Sequence, residues 1–224
     1  MNAIGLVVGS WLLAEFYGYW LHILLHSDKV RWLSDNHMSH HLRSYPPVGR
    51  PIRTDDYIQD VMENQKMVLG LGAEWYLPGA VLIGTSVLLE WLIGLSWAQI
   101  GLSVGGMLTY SVFMFWYLHD RMHIKGIWLS KSRITRGFFK RQRTYHDIHH
   151  YHISDKGLMT KNFGISTPIF DHVFGTYEPK IKKLNRRGIK AAFNRYGINP
   201  PLSIAALHDT PSDASENRRT HPAE

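Results

Sequence analysis

The chain has 224 residues, no cysteine, a formal net charge of +7 and 45% hydrophobic residues. That length suits one domain, and the lack of thiols excludes disulfides, iron–sulfur clusters, thiolate-held zinc and a cysteine nucleophile, leaving nitrogen and oxygen to hold any metal. The basic balance admits nucleic acid, but all 25 Lys and Arg lie between Lys29 and Lys66 or beyond Leu118; membrane topology explains this more simply, and no nucleic-acid partner is expected.

A mean hydropathy of -0.19 hides a strongly uneven distribution. Ala3 to Leu25 is almost continuously apolar, broken by Glu15; Leu77 to Leu95 is broken only by Glu90; Ala98 to Leu118 carries no charge. Each is close to the roughly 20 residues a helix needs to cross about 30 Å of hydrocarbon. Trp75, Tyr76, Trp97 and Tyr117 fall where interfacial aromatics are expected. Three crossings put both basic regions on one side, which the positive-inside rule makes cytoplasmic, with the N-terminus outside or lumenal. The first stretch has the place of a signal peptide, yet it lacks a basic leader and ends in His22 and His26, so it is expected to be retained.

Ten of the 14 histidines fall into four five-residue boxes: His22 and His26; His37, His40 and His41; His119 and His123; His146, His149 and His150. Scattered at random, about one histidine would occupy those twenty positions. Residues three and four apart share a helix face, so each box aims its imidazoles at one point. Ten ligands exceed what one ion takes, and imidazole suits iron, zinc, copper or nickel, so a two-metal centre is the expectation. A lone interfacial histidine is as readily an anchor or a packed residue, and the first box, a bare HxxxH, is the weakest member. All four boxes lie at or beyond the expected cytoplasmic ends of spans.

Between boxes, Ser44 to Asp56 with Pro46, Pro47, Gly49 and Pro51 reads as a loop. The second and third spans form a hairpin about a Ser96–Gln99 turn. Lys131 to Arg143 is a basic stretch that reads equally as an interfacial amphipathic helix or a solvated surface. Residues 201–224 form a polar tail expected to be disordered, after a single domain over residues 1–200.

Around a centre of this charge, carboxylates are candidate partners for the ligands' second N–H groups: Asp120, Asp147 and Asp171, with Asp147 equally suited to a solvent-facing position. Glu15 lies seven residues before His22, on its face and at membrane depth, where acids tend to be functional or else protonated packing groups. Tyr19, Phe115 and Trp116 lie about one turn below the boxes and, with Glu15, can line a substrate cavity or simply pack. A redox metal pair at a lipid interface suits O2 activation against an unactivated C–H bond, making a membrane lipid the expected substrate. The competing classes are a nonenzymatic metal-binding protein or transporter and a zinc-dependent membrane hydrolase.

These boxes, in this order and split by a helical hairpin, resemble the fatty acid hydroxylase/sterol desaturase superfamily of membrane diiron oxygenases. Tyr145-His146-Asp147-Ile148-His149-His150-Tyr151, then Asn162-Phe163-Gly164, then Asp171-His172-Val173-Phe174-Gly175-Thr176-Tyr177 are similar to the end of its fatty acid 2-hydroxylase branch. The resemblance covers roughly residues 10–180. It implies an all-α integral membrane bundle under a cytosolic helical cap, two iron ions on the ten box histidines (zinc can replace them in a purified sample), and O2-dependent hydroxylation or desaturation of a lipid. His152 and His172 are additional candidates.

Three spans stand where relatives often have four, and nine extra residues, Ile153 to Lys161, follow the last box. No cytochrome b5 module is fused within the chain, so a separate ferredoxin or cytochrome b5-type donor is expected to supply electrons. The His119-Asp120-Arg121-Met122-His123 box is also similar to that of β-carotene hydroxylases, which keeps a carotenoid ring hydroxylase, like a sterol or acyl desaturase, as an alternative to a fatty-acyl hydroxylase.

Overall fold

The first helix, α1 (Ala3–Leu25), starts where Asn2 caps it, its side-chain oxygen accepting from the Gly5 N–H at 2.8 Å. One row of residues four apart, Leu6, Ser10, Ala14, Gly18 and His22, is buried. Its small members let a second helix approach closely: a Cβ added at Gly106 would lie 2.5 Å from Ser10 Oγ, and one at Gly18 would lie 2.5 Å from Phe115 Cζ. Small residues are what membrane helices use at such contacts, because lipid supplies no hydrophobic drive toward helix pairing. Glu15, Tyr19 and Leu25 are buried beside that row, and the opposite face of α1 leaves Ile4, Val8, Trp11, Leu12, Phe16, Trp20 and Leu24 exposed. An apolar belt of that extent needs a lipid solvent.

The computed structural model describes residues 2–47, 73–123, 126–180 and 183–200. After α1 come α2 (Arg31–Ser39), a π-helical turn (His40–Ser44), α3 (Ala73–Leu92), α4 (Trp97–Ser111), a second π-helical stretch (Val112–Leu118), and α5 (His119–Met122). Next come α6 (Trp128–Lys131), α7 (Arg136–Tyr151), α8 (Ile169–Phe174) and α9 (Arg186–Tyr196). Among the described residues the only strand-like pairing is an isolated bridge, Ile153 to Met159, so the all-α expectation holds. The polar tail and most of the expected Ser44–Asp56 loop lie outside the described residues.

Among the described residues two helices are long and apolar enough to cross a membrane, Ala3–Leu25 and Trp97–Leu118; the apolar run between them, Tyr76–Leu92, is shorter. The expected second span therefore ends three residues early. Gly94, at φ 81°, takes the left-handed conformation that terminates α3. The hairpin closes at Ser96, whose hydroxyl accepts from the Gln99 N–H while Gln99 Oε1 accepts from the Ser96 N–H at 2.9 Å, a reciprocal capping box. Glu90, the charge interrupting α3, accepts from Ser103 Oγ of α4 at 2.5 Å. Tyr17 of α1 ties to α3 by donating to the Pro78 carbonyl at 2.7 Å.

The basic stretch is not one amphipathic helix. It comprises the end of α6, a turn and the start of α7, with Phe139 and Gln142 buried and Ile134 93% exposed. The nine residues inserted after the last box form a tight hairpin under α9. Gly157, at φ 76°, rests against that helix so closely that a Cβ would lie 2.4 Å from Ala192 N. The hairpin and α9 share a core with Tyr19, Met38, Leu42 and Phe163. Arg31 donates to the Arg195 carbonyl at 2.9 Å, Arg195 pairs with Asp28, and Tyr196 donates to the His26 carbonyl at 3.2 Å. The C-terminal helix thus clasps the connection between the first two boxes.

Candidate metal centre

Helix α1 delivers His22 and His26 one turn apart at its end, and α2 with its π-helical continuation delivers His37, His40 and His41. The second π-helical stretch runs directly into α5 with His119 and His123, and α7 carries His146, His149 and His150. All ten box histidines come together. His22, His26, His37, His41 and His149 form one group; His40, His119, His123 and His146 form a second; His40 and His41 also group with His150 at the junction. Within each group, ligand-capable atoms lie within 4.8 Å of one another. The His41 and His150 rings stack at 3.9 Å between centroids, joining the two groups.

The nitrogens approach in a way that ordinary hydrogen bonding does not explain. His149 Nε2 is 2.9 Å from His26 Nε2, His26 Nε2 is 3.2 Å from His37 Nε2, and His37 Nε2 is 3.2 Å from His41 Nε2. On the other side His123, His146 and His150 repeat the pattern at 3.1 and 3.0 Å. A ring nitrogen has one in-plane position, holding either a proton or a lone pair, so His26, His37 and His146 cannot each satisfy two neighbours. Lone pairs converging on a common cation resolve this. For metal–nitrogen bonds of about 2.1 Å, adjacent donors at right angles stand about 3.0 Å apart and tetrahedral ones about 3.4 Å. The observed 2.9–3.2 Å is the spacing of nitrogen donors that share one ion.

Burial favours the neutral rings that metal binding requires in the first group. It pushes His37 and His41 well below the usual histidine range, with neighbouring histidines adding to the effect. His149 is lowered to about 4 by burial, against an opposing hydrogen bond to the Lys161 carbonyl.

Two of the ligands turn their second nitrogens to backbone carbonyls, while His26 Nδ1 meets Met38 Sδ at 3.2 Å. His22 Nδ1 donates to the Phe163 carbonyl at 2.6 Å, and His149 Nδ1 donates to the Lys161 carbonyl at 2.7 Å. A carbonyl only accepts, so each proton sits on Nδ1 and each lone pair on Nε2. Nothing in the sequence marks a carbonyl as such a partner, but the Asn162-Phe163-Gly164 segment carries the signal indirectly. Asn162 adopts a left-handed φ of 57°, and its side chain bridges the Tyr145 carbonyl and both backbone groups of Glu178. The Phe163 ring packs on those of His22, His26 and His149. Gly164 has no room for a side chain, since a Cβ would lie 2.2 Å from the Thr167 carbonyl oxygen. Tyr45, which sequence reasoning missed, stacks on His123 at 3.8 Å.

His152 and His172 stand outside these groups. His152 caps α7, with Nε2 3.3 Å from the Lys180 carbonyl, and the His172 ring packs at a tilt on Tyr177, 3.9 Å between centroids. Asp147 is buried on α7 rather than solvent-facing; the side chain of Asp120 lies outside the described residues. Asp171 is fully buried and accepts from Phe163 N, Gly164 N and the Tyr145 hydroxyl. Phe115 and Trp116 line an apolar cavity of about 170 Å³ with Tyr17, Gly18, Leu21 and Leu82. Gly18 and Phe115 each lie four residues, one turn, before a ligand. Glu15 and Tyr19 do not line it: Glu15 bonds the 166–167 backbone turn, and the Tyr19 hydroxyl meets Thr176 Oγ1 at 2.9 Å.

The fatty acid hydroxylase family model matches residues 7–176. The chain belongs to that family of oxidoreductases, and its buried histidine clusters fit the metal site such an enzyme needs. No curated protein and no solved structure matches the chain.

Proposed function

We propose that the protein is an O2-dependent diiron hydroxylase of a fatty-acyl or related lipid chain. The observation that carries this is the juxtaposition of two all-imidazole clusters with an apolar cavity one helical turn into the spans. The ten box histidines are the proposed ligands, five to each ion, with His150 completing the second set through its 3.0 Å approach to His146. Bound there, a pair of irons supplies the redox chemistry that turns O2 against an unactivated C–H bond. The overall change is R–H plus O2, two electrons and two protons to R–OH and water, the electrons coming from a separate ferredoxin or cytochrome b5-type donor.

The chain's own residues do the rest. Gly18 admits the Phe115 ring against α1, and Leu21, Leu82 and Trp116 hold the apolar substrate away from water. The carbonyls of Phe163 and Lys161 fix two ligands in the tautomer that presents Nε2. The closing Asp171–Tyr177 segment and the Asn162-Phe163-Gly164 motif support the 2-hydroxylase branch. The Lys and Arg distribution supports a cytoplasmic position for the boxes with the N-terminus outside.

The test is lipid profiling of cells expressing the chain, grown with isotopically labelled O2. Gain of one labelled oxygen on an acyl chain is expected, abolished by His149→Ala; loss of two hydrogens instead would assign desaturation. An iron-loaded, membrane-inserted protein with no O2-dependent product would sink the hydroxylase reading.

A further inference from the structure

Glu15 sits inside the first span, 2% exposed, and both of its carboxylate oxygens are engaged. Oε1 accepts from the Thr167 N–H at 3.0 Å and from Thr167 Oγ1 at 3.3 Å. Oε2 accepts from the Tyr110 hydroxyl of α4 at 2.8 Å and from Ser166 Oγ. With its oxygens occupied and its surface buried, this acid has no face to offer a substrate. Three of these four bonds come instead from a strap, residues 161–167, that leaves the post-box hairpin and runs along α1 into the depth of the bundle. Backbone at such depth must find hydrogen-bond partners within the protein.

The strap is anchored at two points. Asp171 accepts from Phe163 N at 2.8 Å and Gly164 N at 2.7 Å, while Glu15 takes the Ser166–Thr167 end. Between and beside these anchors lie the two carbonyls that orient His22 and His149, and both ligands belong to the first cluster. Asp171 also receives the hydroxyl of Tyr145, the residue before His146, so its loss would reach the second cluster as well. Glu15 bonds the strap and, outside it, the Tyr110 hydroxyl of α4, which itself meets Ser166 Oγ of the strap.

We propose that Glu15 is a positioning residue: by holding the 161–167 strap against α1 it sets the His22 and His149 imidazoles, and so governs metal retention in the first histidine cluster and not the second. The proposal rests on reading the clusters as two metal sites, and its test separates the two ideas. Purified full-length protein loaded with iron(II) is assayed for iron per chain and for the rate of iron release to a chelator. Wild type is expected to hold two ions. Glu15→Ala is expected to fall toward one, with one ion released on the order of 10-fold faster, the scale on which outer partners of metal ligands act. The ion that remains should leave at the wild-type rate. Glu15→Gln should restore two ions, because its carbonyl still accepts from Thr167 N–H and the Ser166 and Tyr110 hydroxyls can turn to accept from its amide.

Two ions with unchanged release in Glu15→Ala, or equal loss of both from a chain that still melts cooperatively, would overturn the proposal. A wild-type chain holding fewer than two ions would fail the two-site reading itself and the proposal with it. Should Glu15→Ala not survive extraction, Ser166→Ala removes one anchor and leaves the carboxylate. Faster release of one ion of the pair then supports the role, and unchanged release of both rejects it.

Discussion

The two histidine clusters are built by different means. The first draws on three distant stretches, the end of α1, the α2 turn and α7, and its ligands lean on carbonyls of the 161–167 strap, which is itself held from the far side by α1 and α8. The second takes most of its rings from two segments, the π-helical run into α5 and one face of α7, with His40 reaching across. One site is therefore set by long-range tertiary contacts and the other mainly by helical register. Disturbances of the strap should act on the first, and disturbances of helix geometry on the second.

The largest expected effect comes where the two meet. His150→Ala, at the stacked His41–His150 junction, should lower iron below two per chain and reduce product formation by more than the roughly 10–100-fold that loss of an outer partner causes. Elemental analysis beside lipid mass spectrometry reads this; full activity with two ions would show that the clusters do not share a boundary there. Next is Gly164→Ala. Its Cβ would meet the Thr167 carbonyl at 2.2 Å, a backbone atom that cannot step aside. A cost of about 1–3 kcal/mol in thermal unfolding is expected, with iron lost preferentially from the first cluster.

Gly18→Ala acts more gently, since the atom it meets is the tip of the Phe115 ring. The ring must move toward the cavity, so the variant should retain both ions and shift product toward shorter or slimmer chains in a competition between substrates. An unchanged chain-length profile would remove Phe115 from the cavity argument. The smallest effect is expected for Tyr196→Phe, which deletes the hydroxyl bonded to the His26 carbonyl. About 0.5–1.5 kcal/mol of stability should go, visible as a lower melting temperature with iron content intact.

Much of this molecule was legible before its structure. The first span appears with the boundaries its hydropathy gave, a local property of a helix in a low-dielectric solvent; the hairpin turn lies earlier than the expected Ser96–Gln99, because Ser96 caps α4 and Gln99 is already in its first turn. The register inside the boxes was less legible. Regular α-helix was the natural expectation, but π-helical turns occupy His40–Ser44 and Val112–Leu118, beside the second and third boxes. Such insertions are frequent at functional sites and leave no periodic mark in the sequence. Glu15 stands out in the sequence as an acid within an apolar run, yet one of its partners lies 152 residues away in irregular chain.

The sequence by itself determined which side chains come together. Histidine spacing of three and four puts the rings of each box on a shared helix face. Only the tertiary structure decided how they are shared out. The second box splits, His37 and His41 to one cluster and His40 to the other, and in the fourth box His149 parts from His146 and His150. On a helix, neighbours at i+3 and i+4 leave the axis on either side of the starting residue, so one box can face two centres. Which centre each ring meets depends on helix packing, and which tautomer it presents depends on a strap whose carbonyls carry no residue identity to read.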